Sequence, residues 1–164
     1  MKYKRFEDLP VWQAAIELAR RTYAFTSHDA FRRHVGLRDQ LERATLSISN
    51  NIAEGFERGS TNELLAFLYI ARGSAREVRS MHCLLERVSE FSPLKSEICD
   101  MRLAAQGISR QLYGWIEQLK SGDITGQRHL NDSTRAGTAT KKDQDAFLQE
   151  LDRIRHSGKE ASEI

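Results

Sequence analysis

The sequence contains few of the residues that interrupt helices or cross-link a fold. Of its 164 residues, only two are proline and two are cysteine. Pro10 and Pro93 leave long stretches in which nothing interrupts a helix. Cys83 and Cys99 are too few for a disulfide scaffold. No apolar run approaches the roughly 20 residues that span a bilayer, and the first residues lack the apolar segment of a secretory signal. These absences exclude secreted, collagenous and membrane-spanning classes and predict a cytoplasmic protein.

The charge is nearly balanced, with a formal net charge of +2. Residues 1–120 contain 18 Lys and Arg against 15 Asp and Glu, whereas residues 121–164 contain 7 against 8. Most of the cations in the first part are arginines, whose planar guanidinium suits phosphate. This excess permits a nucleic-acid partner. It does not require one, because a solvated helical surface also uses arginine freely.

Four segments show apolar residues at the three-and-four spacing of amphipathic helices, and no segment alternates like a strand. We predict helices over about 10–26, 36–58, 60–89 and 93–120. Prolines mark the start of the first and last of these helices, and Ser60 with Glu63 forms a capping box at the start of the third. Short loops between them predict an all-α fold, an antiparallel up-down four-helix bundle over residues 1–121.

Residues 122–164 differ in composition from the bundle. Residues 122–140 are polar and lack apolar periodicity, which is typical of a linker. Residues 141–156 place a few apolar side chains on one helical face, too few to fold alone. We expect a flexible C-terminal tail with a short fifth helix, which either forms transiently or docks on this bundle or on a partner.

Helical phasing at 100° per residue predicts the core and the outer faces of the third helix. Its predicted core face consists of Phe67, Ile70, Ala71, Ser74, Val78, Met81, Leu85 and Val88. Leu65, Leu68 and Tyr69 then face away from the core and need another surface to cover them. A subunit interface is the expected cover, and packing by the N-terminal segment of the same chain is the alternative.

The second helix carries a polar stripe opposite its apolar one. Small or hydrogen-bonding side chains dominate it, so it permits close helix approach with polar atoms satisfied across the contact. We assign this stripe a structural role, and its members other than Arg43 are part of the predicted oligomer interface. Its members are Arg43, Ser47, Asn50, Asn51 and Glu54.

Several stretches resemble one known family. They are residues 6–13 (FEDLPVWQ), 34–44 (HVGLRDQLERA), 47–58 (SISNNIAEGFER) and 67–77 (FLYIARGSARE). The chain resembles the four-helix-bundle family associated with intervening sequences in bacterial large-subunit ribosomal RNA genes. The similarity covers about residues 5–120, with His34-Val35 replacing a usual Tyr and Glu42 replacing an Arg.

The resemblance implies a ring-like homopentamer and kinship with the accessory variability proteins of diversity-generating retroelements. Those proteins bind nucleic acid and a reverse transcriptase. The family offers no catalytic residues to carry over. The leading hypothesis is therefore a non-enzymatic, homo-oligomeric scaffold that binds RNA or DNA and partners a reverse transcriptase. A protein–protein interaction module without nucleic-acid binding is the alternative.

Four arginines on the third helix are candidates for nucleic-acid binding. They fall within one arc of about 80°, so they could contact successive phosphates. The alternative is that they are solvated residues paired locally with Glu77 and Glu86. The four are Arg72, Arg76, Arg79 and Arg87.

No arrangement of residues predicts an enzyme, a metal site or a cofactor. Glu54 has no second acid or histidine one turn away to share acid–base work. Cys83 and Cys99, with His82 nearby, lack further metal ligands and are expected to be free thiols. Arg76 and His82 have the spacing of a class of helical ribonucleases, but they diverge by about 120° on one helix. Ribonuclease activity is therefore a weaker alternative.

Overall fold

The computed structural model describes residues 3–121, which form an antiparallel bundle of four helices. The helices are α1 (Pro10–Thr26), α2 (Val35–Glu57), α3 (Thr61–Leu85) and α4 (Lys95–Ser121). Helices that follow one another in the chain pack together, and α4 also packs on α1. Residues 3–121 contain no strand. The predicted all-α four-helix bundle is confirmed, and the predicted tail lies outside the described residues.

The helix starts follow local signals in the sequence. Pro10 occupies the first turn of α1, where its missing N–H costs no hydrogen bond. The Ser60 hydroxyl oxygen accepts the Glu63 backbone N–H at 3.3 Å, which is one half of the predicted capping box. The Glu63 carboxylate accepts from the Ser60 hydroxyl at 2.6 Å and not from the Ser60 backbone N–H. Pro93 does not open α4. It lies inside a 3₁₀ segment, Ser89–Leu94. As a result, α3 ends at Leu85, before the predicted residue 89, and α4 begins at Lys95, after the predicted residue 93.

The core positions of α3 recur at alternating steps of four and three, as in the coiled-coil-like packing of bundles. The predicted phase of this helix is partly wrong. Ile70 is 51% exposed, whereas Leu68, expected on the outer face, is fully buried. Apolar residues surround the first two turns of α3, so hydrophobicity alone does not define which side faces the core. The buried positions at this spacing are Leu64, Leu68, Ala71, Ala75, Val78, His82 and Leu85, and Thr61 and Ser74 are buried as well.

An aromatic cluster closes the end of the bundle where the α1–α2 and α3–α4 connections meet. Phe25 and Phe31 pack edge to face with their centroids 5.1 Å apart, and Phe31 lies 4.8 Å from Phe91. All three rings are almost completely buried. These contacts join both connections to the core and fix the relation of the α1–α2 pair to the α3–α4 pair.

The α2–α3 pair approaches closely at Gly55. A Cβ built on Gly55 would lie 2.7 Å from the Cβ of Phe67 and 3.2 Å from Cδ1 of Leu64. No glycine in residues 3–121 has a positive φ, so this glycine is required by space and not by backbone conformation. Farther along the same contact, the Ser47 and Ser74 hydroxyls are 2.9 Å apart and share a hydrogen bond.

None of the helices in residues 3–121 combines the length and the apolarity that a membrane span needs.

Candidate functional site

A groove of about 190 Å³ runs between α3 and α4. It is open to the surface, and no carboxylate is among the side chains that line it. Three of its side chains come from α3 and four from α4. They are Arg72, Arg76, Arg79, Gln106, Ser109, Arg110 and Tyr113.

The helical repeat places these side chains together. The three residues of α3 stand at steps of four and three, so they form one stripe along the helix. The four residues of α4 lie at steps of three, one and three, which gives a second stripe on the facing flank. Each stripe lies beside the buried positions of its own helix, so both sit at the mouth of the α3–α4 contact. The groove is therefore built by the bundle's rigid elements.

Arg72 and Tyr113 join the two walls of the groove. The guanidinium carbon of Arg72 lies 4.5 Å from the centroid of the Tyr113 ring, a cation–π contact. The Nε of Arg72 is buried and has no hydrogen-bond acceptor in the described part of the chain. Tyr113 itself remains 48% exposed. This contact positions one guanidinium and leaves its hydrogen-bonding capacity unused.

The groove arginines differ from most other arginines of the bundle in their pairing. Elsewhere arginines hold local carboxylates, as Arg20 holds Glu17 at 2.7 Å and Arg58 holds Glu54 at 2.5 Å. Within residues 3–121, none of the four groove arginines forms an ion pair. The groove therefore carries four positive charges that the described residues do not neutralise.

The local pairing considered from the sequence is absent. The Glu77 carboxylate accepts a hydrogen bond from the side-chain amide of Gln40 across the α2–α3 contact. Glu86 holds Arg102 of α4, with Oε1 and Nε 2.7 Å apart. Both carboxylates thus have other partners, and the nearby arginines are left to solvent or to a ligand.

The structure assembles three of the four predicted arginines and adds one that sequence reasoning missed. Arg72, Arg76 and Arg79 line the groove, but Arg87 does not. Arg87 follows the end of α3 and donates a hydrogen bond to the Cys83 carbonyl. Arg110 of α4 takes its place. The polar stripe around Arg110 was the available signal, but only the packing of α4 against α3 relates it to the other arginines.

The predicted interface on α3 is only partly on the surface. Leu68 belongs to the bundle's own core, so its placement on the outer face was wrong. Leu65 is half-buried against that core. Tyr69 is 44% exposed, and the Lys120 ammonium lies 5.5 Å from the centroid of its ring. The large apolar side chains exposed on α3 at this level are Tyr69 and Ile70.

The polar stripe of α2 divides between the α2–α3 contact and the surface. The Asn51 amide donates to the Ser47 carbonyl at 2.7 Å, and Ser47 bonds Ser74 of α3. These contacts fit the predicted role in close helix approach, but they lie within one chain. The remaining members are exposed: Arg43 donates to Gln40, Asn50 faces solvent, and Glu54 pairs with Arg58.

The structure separates Arg76 from His82. Arg76 is exposed in the groove, whereas His82 is fully buried at a core position. The His82 Nδ1 lies 2.8 Å from the Val78 carbonyl oxygen, and its ring stacks on Phe25 at 6.1 Å. Burial lowers the pKa of His82, opposed by that hydrogen bond. The buried ring cannot reach a substrate held by Arg76, so the geometry offers no site shared by these two residues.

The cysteines show no arrangement for metal. Cys83 and Cys99 are free and half-buried. The Arg102 guanidinium lies 3.7 Å from the Cys99 sulfur. Within residues 3–121, no three histidine, cysteine or acidic side chains are grouped to hold a metal ion.

The sequence model of the 23S rRNA-intervening sequence protein family matches residues 7–114. The chain belongs to this family. The match includes every residue of the arginine groove and the Gly55 contact, so both are built from the part of the chain that the family shares. No curated protein matches the sequence.

Proposed function

We propose that this member of the 23S rRNA-intervening sequence protein family is a non-enzymatic, homo-oligomeric scaffold that binds RNA or DNA through the α3–α4 groove. The observation that carries the proposal is the set of four arginines in one groove with no carboxylate lining it and no ion pair. Arginine forks match phosphate oxygens bidentately. A phosphate backbone is thus the ligand whose charge and geometry fit this groove.

Self-association would increase the strength of this site. Each copy of the bundle adds four guanidiniums, and linked copies bind one strand with a higher effective concentration than a single copy. The half-exposed Tyr69 and Ile70 on α3 supply apolar surface for contact between copies. The resemblance described from the sequence suggests a pentamer, and a reverse transcriptase to which the scaffold delivers template or primer.

The test is the salt dependence of binding to labelled RNA and DNA, measured by fluorescence anisotropy. The groove variant is Arg76→Glu with Arg79→Glu, because both side chains are exposed and neither holds Tyr113 in place. The control variant is Arg20→Glu with Arg32→Glu, which changes the net charge equally outside the groove. Each lost phosphate contact lowers the slope of log K against log salt by about 0.7–0.9.

We expect the groove variant to lose at least about 10-fold in affinity at low salt and to show a slope smaller by about 1.5. The control should bind within about threefold of the wild type, since surface charge away from the site acts weakly through solvent. Equal losses in both variants would show that net charge, and not the groove, attracts the polyanion. If the wild-type protein binds neither RNA nor DNA at low salt, the alternative hypothesis of a protein–protein interaction module is favoured instead.

A further inference from the structure

We infer that the groove takes a single-stranded nucleic acid in preference to a duplex, with an unpaired base stacked at Tyr113. The inference rests on the proposed function and names its substrate class. Sites for single strands combine a cationic track for the backbone with an aromatic surface for bases. The groove has both: four arginines and one half-exposed tyrosine.

Tyr113 is placed as a stacking surface and not as a core residue. The residue is 48% exposed, although the Arg72 guanidinium carbon lies over its ring, 4.5 Å from the centroid. Tyr113 is also one of the residues that line the groove. The Arg72 guanidinium adds a second planar group, and arginine planes also stack on bases. A base entering the groove therefore meets an aromatic ring and a guanidinium that already hold each other in position.

Gln106 and Ser109 supply hydrogen-bonding groups beside that surface. Both are half-buried in the groove wall, and neither side chain has a hydrogen-bond partner among residues 3–121. An amide and a hydroxyl can each donate to and accept from a base edge or a ribose hydroxyl. In a duplex the pairing edges of the bases are already occupied, whereas an unpaired base offers them.

The dimensions of the groove also favour a single strand. A volume of about 190 Å³ admits part of an extended strand but not the cylinder of a duplex. Arg72 and Arg76 are four residues apart, so their Cα atoms differ by about 6 Å along the axis of α3. A flexible strand can adjust its phosphates to this spacing, while a duplex would meet only the outermost guanidiniums.

The experiment compares three labelled ligands of equal length: oligo(U) RNA, oligo(dT) DNA and a mixed-sequence duplex. Each is titrated with the wild-type protein, with Tyr113→Leu and with Tyr113→Phe. Tyr23→Leu serves as the matched control, because Tyr23 is 47% exposed on α1, outside the groove. Anisotropy gives Kd, and thermal melting confirms that each variant is folded.

We expect the wild type to bind the single strands more tightly than the duplex. Tyr113→Leu should weaken single-strand binding about 5- to 100-fold, since it removes one stacking surface. It should leave duplex binding within about twofold, and Tyr113→Phe and Tyr23→Leu should bind like the wild type. Tighter binding of RNA than of DNA would add support for a contact to the ribose hydroxyl.

Two results would overturn the inference. One is a duplex affinity equal to or higher than the single-strand affinity. The other is a folded Tyr113→Leu variant that retains wild-type affinity for both single strands. In either case the groove arginines can still bind phosphate, and the proposed function stands. Failure of the wild type to bind any of the three ligands at low salt would overturn the proposed function itself.

Discussion

Replacing Gly55 with alanine tests the close approach of α2 and α3. The added methyl would lie 2.7 Å from the Cβ of Phe67, a distance that no rotamer change of Phe67 can relieve. The backbones must therefore separate, and such overpacking costs about 1–3 kcal/mol. Alanine also favours a helix over glycine by about 0.8–1 kcal/mol. The net expectation is a loss of up to about 2 kcal/mol, or up to roughly 8 °C in Tm for a bundle of this size.

The matched control is Gly73→Ala, in the interior of α3. A Cβ built on Gly73 meets no atom within 4 Å, so only the gain in helix propensity remains. This variant should be more stable than the wild type by about 0.5–1 kcal/mol. Thermal melting followed by far-UV circular dichroism measures both variants. If Gly55→Ala melts as high as Gly73→Ala, the helices are not in contact at Gly55 and the packing described for this pair is wrong.

Two further predictions concern buried and exposed positions of α3. Because burial lowers the pKa of His82, the unfolded chain binds a proton more readily than the folded one. The free energy of unfolding should fall as pH drops below about 6.5, the ordinary histidine pKa, and continue to fall through the lower pKa of the folded state. Denaturant titrations at several pH values should show a weaker pH dependence in His82→Leu. Leu68→Asp should unfold the bundle, since it buries a charge in the core, whereas Ile70→Asp, at a position 51% exposed, should stay folded. Native mass spectrometry of Ile70→Asp then tests self-association: a mass unchanged from a multimeric wild type would exclude this surface as the contact.

The helices were predictable where local chemistry defines them. Pro10 and the Ser60 cap set two starts correctly. The apolar stripe of α2, predicted from Leu37 to Phe56, is buried from Leu41 onward, while Leu37 is half-buried. The phase of α3 was not predictable, because Leu64 to Ile70 includes apolar residues on every side. Its core position is decided by which side fits α2 and α4, and single-helix periodicity does not contain that information.

Only part of the candidate site was predictable, because periodicity within one helix does not show which helices pack together. The three arginines of one α3 stripe follow from helical spacing alone. Arg110 and Tyr113 belong to the site only because α4 lies beside α3 at that level. The hydrogen-bond partner of Glu77 was also not predictable from the sequence, since that partner, Gln40, is on another helix. Contacts within a helix can be read from spacing, whereas contacts between helices depend on the assembled bundle.

The groove arginines share one signal in the sequence that, among the other arginines of residues 3–121, only Arg102 also has. Arg102 differs in pairing with Glu86 at the end of α3. Counting three and four residues in both directions from Arg72, Arg76, Arg79 and Arg110 reaches no acidic residue. By contrast, Glu17 lies three residues before Arg20 and Glu54 four before Arg58, and both pairs form. Arg76 instead has an arginine four residues before it and another three residues after it. Like charges at these spacings destabilise a helix by about 0.2–0.5 kcal/mol per pair. The bundle thus bears a repulsion that its described residues do not relieve, and a phosphate strand in the groove would relieve it.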